Sequence, residues 1–102
     1  MAGYDNPGGS LLSGRQPVTT GGTRVQLTTT STAILSVIVT AETDNTGVIT
    51  VGGSDVVAAL STRKGHPLQA GESVELGVND LAKVYIDTTV NTDGVTYLAV
   101  LA

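Results

Sequence analysis

Asp44-Asn45-Thr46-Gly47 is the first place in this chain where residue types suggest chemistry. An Asp-Thr-Gly loop, presented once by each half of a two-fold dimer, builds a protease site from two carboxylates. Here Asn45 stands between the Asp and the Thr, so the fixed loop such a pair depends on is missing. The segment reads instead as a hairpin turn, because Asn tolerates left-handed backbone and Gly takes positive φ without steric cost. His66 is the sole histidine. A Ser-His-Asp site needs an activated serine and a buried orienting acid. Ser54-Asp55 and Ser61 are present, but no G-x-S-x-G elbow is. Beside Pro67, His66 reads as a surface loop residue.

Asp44, Asp55, Asp80, Asp87 and Asp93 could offer oxygens to calcium, yet none lies in a D-x-D-x-D-G loop. Aspartates near turns more simply cap backbone N–H groups. Gly52-Gly53-Ser54 lacks the lysine and following helix of a phosphate loop. With no cysteine, disulfides and thiolate metal sites are excluded. The expectation is a protein that is not an enzyme, with no catalytic, cofactor-binding or metal residues.

The elements that would carry these residues are short strands. Ala33 to Ala41 is the strongest, with Leu35, Val37 and Val39 on one face and Ile34, Ser36, Ile38 and Thr40 on the other. That second face is half apolar and should meet another sheet or another chain. Val25 and Leu27 give a brief strand, and Val48 to Val51 another. Ser73 to Val78 alternates, with Val74, Leu76 and Val78 inward. Asn79 to Lys83 is a loop with Leu81 tucked in. Val84 to Asp87 and Val95 to Leu101 complete the set, the latter with Val95, Tyr97, Ala99 and Leu101 on one face. Asp93-Gly94 reads as a second hairpin turn. Val56 to Lys64 is the one segment that could be helical, but it is short and reads as irregular or strand. About seven or eight strands, with turns every 8–12 residues, predict an all-β fold, a β-sandwich or jelly roll, with a barrel as runner-up.

Residues 1–22 are rich in Gly and Pro and show no period of two or 3.6. They predict a flexible, extended arm, leaving 23–102 as the β-sandwich domain. Tyr4, Leu11 and Leu12 are the arm's expected anchors on a partner. With Arg15 on the arm and Ile34 and Ile38 on the half-apolar face, they form the candidate partner contacts.

Composition points the same way. Aromatics are 3% of the chain, all tyrosine, so the core is built from Val, Ile, Leu and Ala. Association with further copies, expected as a trimer, would add burial. Charged residues are 14%, against roughly 25% in an average domain. A surface of Thr, Ser, Gly and Asn suits close packing in an assembly. Net charge is −4 and the five basic residues are scattered, so no direct nucleic-acid binding is expected. No apolar run reaches the ~20 residues of a membrane span, and the N-terminus has no apolar leader core. The expectation is a chain made, and kept, in a cytosol until it is assembled.

Three stretches carry a family resemblance: GVITVGGSDV (47–56), PLQAGESVELGV (67–78) and DLAKVY (80–85). Together they resemble a module of small structural proteins of tailed bacteriophages, and the likeness extends over roughly residues 30–101. The resemblance implies a virion component: a capsid decoration (cement) protein, or a head-fibre or tail-associated part. Small size, the absence of a long fibrous segment and the Gly-rich arm favour the decoration protein. Such a protein would bind the major capsid protein at subunit junctions on the capsid exterior. The alternative is an attachment module binding host-surface carbohydrate, for which only Tyr4, Tyr85 and Tyr97 could stack on a sugar.

Overall fold

Val and Ile on alternate positions force strands, and the strands sort into two layers. The computed structural model describes residues 10–102. Eight strands run in chain order: β1 Leu11–Pro17, β2 Val25–Gln26, β3 Ile34–Ala41, β4 Ile49–Gly52, β5 His66–Leu68, β6 Ser73–Leu76, β7 Tyr85–Thr88 and β8 Gly94–Leu101. One sheet has the order β1-β8-β3-β6 and the other β2-β7-β4-β5. Every pairing is antiparallel. The pairs β1–β8, β2–β7, β3–β6 and β4–β5 are nested, as if one long hairpin folded back between β4 and β5 had been rolled into two layers. That winding is a jelly roll. The all-β sandwich expected from strand spacing is therefore the architecture.

The inner faces meet in an aliphatic core. Val37, Val39, Ile49, Leu81, Ile86 and Val95 are all fully buried in it. Val74, Leu76 and Val78 turn inward, as their alternation predicts, but are only half-buried because β6 lies at the sheet edge. Leu81 is tucked in by a short 3-10 turn, Leu81–Lys83. Asp80 caps that turn through the Ala82 N–H at 2.9 Å and also accepts from Thr32 N–H and the Ser31 hydroxyl. These bonds, led by the one from Ser31, hold the Asp80 carboxyl below its ordinary value.

Four expectations are corrected. Residues 10–18 are not an arm. β1 pairs with β8 from Leu11↔Val100 to Pro17↔Gly94, and Val18 is completely buried. The sandwich therefore begins at Leu11, not at 23. The strand was hidden because Gly14 occupies its central inward position. The Tyr97 ring fills the space there, and a Cβ on Gly14 would run into it. Tyr4 lies outside the described residues.

The second correction concerns β3. Its register to β8 shifts between Ile34 and Ser36. This bulge turns Ile34 into the core, 2% exposed, and throws Leu35 outward, 60% exposed. The remaining alternation is as expected.

The third and fourth concern the two turns. Neither Asp44–Gly47 nor Asp93-Gly94 closes a hairpin, because β3 and β4 lie in different sheets, as do β7 and β8. Both are crossings between layers, and they lock together. Gly94 N–H donates to Asn45 Oδ1 at 3.0 Å, and Asn45 Nδ2 donates to the Gly94 carbonyl at 2.8 Å. Asp93, 6% exposed, accepts from Thr46 N–H at 3.2 Å and Gly47 N–H at 2.7 Å.

The outer face of the β2-β7-β4-β5 sheet is covered by the chain itself. The segment joining β4 to β5 folds over it, burying Val56 and Ala58. Arg24 Nε fastens the segment through the Val56 carbonyl at 3.1 Å. Thr50 is buried beneath it, and its hydroxyl has no hydrogen-bond partner among the described residues. An unsatisfied buried hydroxyl costs about 1–3 kcal/mol. Thr50→Val keeps the shape and removes that cost, so the variant is expected to gain about 1 kcal/mol in urea unfolding. A loss of stability would show that the hydroxyl is satisfied.

Candidate functional site: the bare outer face of one sheet

The β1-β8-β3-β6 sheet has no such cover among the described residues. Its cross-strand registers set the outward side chains in rows. Leu11, Val100 and Ser36 form one row; Ser13, Leu98, Ile38 and Glu75 the next; Arg15, Thr96, Thr40 and Ser73 a third. Leu11 (61% exposed), Leu35, Ile38 and Leu98 make the middle and one end apolar. The other end is polar. Arg15 pairs with Glu42, and Thr40 Oγ1 bonds Ser73 Oγ at 2.7 Å. A shallow depression of about 480 Å³ lies there, lined by Arg15, Thr40, Glu42, Asp44 and Thr96. Glu42 raises the pKa of Arg15 above its ordinary value, first through the hydrogen bond and then through its charge.

Of the expected partner contacts, Leu11, Arg15 and Ile38 come together on this face. Ile34 is core, and Leu12 is half-buried against the core, so neither is a free contact. Leu35 and Leu98 belong to the face and were missed. Leu98 could have been found, since Tyr97 and Ala99 on either side of it were read as sharing one face, which leaves Leu98 on the other. Leu35 could not, because the bulge that exposes it leaves no mark in the residue pattern.

His66 is exposed on edge strand β5, while Asp44, Ser54 and Asp55 are exposed in connections. Asp87 and Asp93 spend both oxygens on backbone N–H groups, and Asp80 spends one on the Thr32 and Ala82 N–H groups and the other on the Ser31 hydroxyl. Among the described residues no group of three His, Asp or Glu side chains could hold a metal ion. No helix among them is long and apolar enough to cross a membrane. The arrangement can bind a surface: it is apolar in the middle and at one end, polar at the other end, and carries few charges. The chain matches no protein family, no curated protein and no solved structure.

Proposed function

We propose that this protein is a capsid decoration protein of a tailed bacteriophage, seated on the assembled head where major capsid subunits meet and located on the capsid exterior. The single observation that carries the reading is the asymmetry of the two outer faces. One sheet is covered by the chain's own loop, and the other leaves Leu11, Leu35, Ile38 and Leu98 in water. Contiguous exposed apolar patches on small soluble proteins mark interaction sites. Jelly rolls occur in viral capsid and lectin domains alike, so the fold alone does not choose. Against a sugar site, Tyr85 and Tyr97 are both half-buried, and the Tyr97 ring lies inside over Gly14. The proposed function is contact rather than catalysis.

A protein that binds the assembled state and not the dissociated one stabilises it by mass action. Saturated heads are therefore expected to open at a higher temperature than bare heads. Ile38→Glu and Leu98→Glu each place a charge in the proposed seat. Each is expected to weaken co-sedimentation with heads by about tenfold or more. His66→Ala is expected to change nothing. If bare and saturated heads rupture at the same temperature, the decoration role is wrong.

A further inference from the structure

We propose that the free edge of β1 pairs with β1 of a second copy about a two-fold axis at Gly14, joining two four-stranded sheets into one of eight strands. The two sheets end in four edges: β1, β6, β2 and β5. An exposed edge is a template for pairing unless it is short, charged or interrupted by proline. β2 has two residues. β5 has three, among them Pro67, which lacks an N–H. β6 has four and carries Glu75. β1 has seven, with an unbroken register to β8. Its one charged residue, Arg15, is already paired with Glu42 of its own chain.

The hydrogen bonds from this strand to β8 come from even-numbered residues. The Ser10 carbonyl accepts from Leu101 N–H at 2.9 Å. Val18 donates to the Asp93 carbonyl and accepts from Thr92 N–H, both at 2.9 Å. Antiparallel strands alternate between bonded and non-bonded positions. Leu11, Ser13 and Arg15 therefore turn both N–H and C=O outward, and Pro17 turns its carbonyl outward. Among the described residues nothing pairs with them.

This row of groups is self-complementary. With the axis at Gly14, all of β1 overlaps its mate. Ser13 then lies opposite Arg15 of the second copy, and Leu11 opposite Pro17. Outward-facing residues meet outward-facing residues, so each outward N–H finds a carbonyl. The missing N–H of Pro17 leaves only the Leu11 carbonyl at each end, where water reaches it. Gly14 permits the close approach of a non-hydrogen-bonded pair at the axis. Leu11 lies on the outer face, so pairing also makes the two apolar faces continuous. A strand of another protein would need the same match of donors and missing donor by coincidence. The geometry favours a two-fold pair over the trimer expected from the sequence, and it does not rest on the capsid reading.

The test is sedimentation equilibrium of the full chain without heads. The wild type is expected to be a dimer at micromolar concentration. Ser13→Pro removes an outward N–H and leaves the β8 ladder intact. It is expected to raise the dissociation constant about tenfold or more with an unchanged circular dichroism spectrum. Amide exchange gives a reading that needs no variant. The Leu11, Ser13 and Arg15 amides are expected to exchange faster on dilution, while that of Leu12 holds. A monomer at all concentrations, a trimer, or a dimer dissolved by Ile38→Glu but not by Ser13→Pro would overturn the proposal. Concentration-independent exchange at the three amides would overturn it too.

Discussion

Removing the chain through Val18 is expected to unfold the domain in water. The deletion takes away a whole edge strand and the fully buried Val18. Losing the burial of Val18 alone costs about 1.5–3 kcal/mol. Leu12 adds a partial share, and each lost backbone hydrogen bond adds about 1 kcal/mol net. The strand also flanks β8, so the sides of Val95, Tyr97 and Ala99 that β1 adjoins would open to water. The sum reaches the ~5–15 kcal/mol that holds a domain of this size together. Far-UV circular dichroism with a urea titration would show no cooperative transition. A melt like that of the intact chain would mean that β1 docks without contributing to stability.

A point variant reaches the same strand more gently. Gly14→Val puts a branched side chain against the Tyr97 ring, at a contact already too close for a Cβ. Overpacking of this kind costs about 1–3 kcal/mol. The loss should appear as a lower urea midpoint with a cooperative transition retained.

Gly14 also explains why this strand could not be read from residue types. Its inward side carries Leu12, Gly14 and Gln16, which show no alternation of apolar with polar. The apolar mass that completes the position belongs to Tyr97, in a strand more than eighty positions away in sequence. Where the filling side chain is local, the reading succeeded: Val74, Leu76 and Val78 face inward, as do Val37 and Val39. The Asn45 and Asp93 turns were legible as turns, because their backbone preferences are local. That each crosses between sheets and clasps the other depends on bonds spanning nearly fifty residues. The candidate face follows the same division. Its half-apolar character and Ile38 were visible in the pattern, while Leu35 needed a bulge and Leu11 needed a strand that the pattern did not show.

Asp87→Ala is expected to cost about 3 kcal/mol or more, a large loss for a residue that faces away from the aliphatic core. Asp87 sits on β7 opposite Thr50 and is 2% exposed under the covering loop. Its Oδ1 accepts from Gly22 N–H at 3.0 Å and from Thr88 N–H at 2.9 Å, and its Oδ2 from Ala58 N–H at 2.9 Å. One carboxylate thus pins two loops to the sheet: the connection from β1 to β2 and the cover between β4 and β5. Alanine would leave the buried Ala58 N–H without an acceptor. Gly22 would keep its second acceptor, the Thr88 carbonyl at 3.1 Å, so the damage should centre on the cover. Asparagine should rescue only part of the loss. With its oxygen kept toward Gly22 and Thr88, its amide nitrogen would face the Ala58 N–H, a donor against a donor. Urea unfolding ranks the wild type above Asp87→Asn and Asp87→Ala below both. Amide exchange at Ala58 should quicken in both variants, while Val37 and Val39 stay protected. A cost under about 1 kcal/mol for Asp87→Ala would mean that the loop holds to the sheet through Val56 and Ala58 alone.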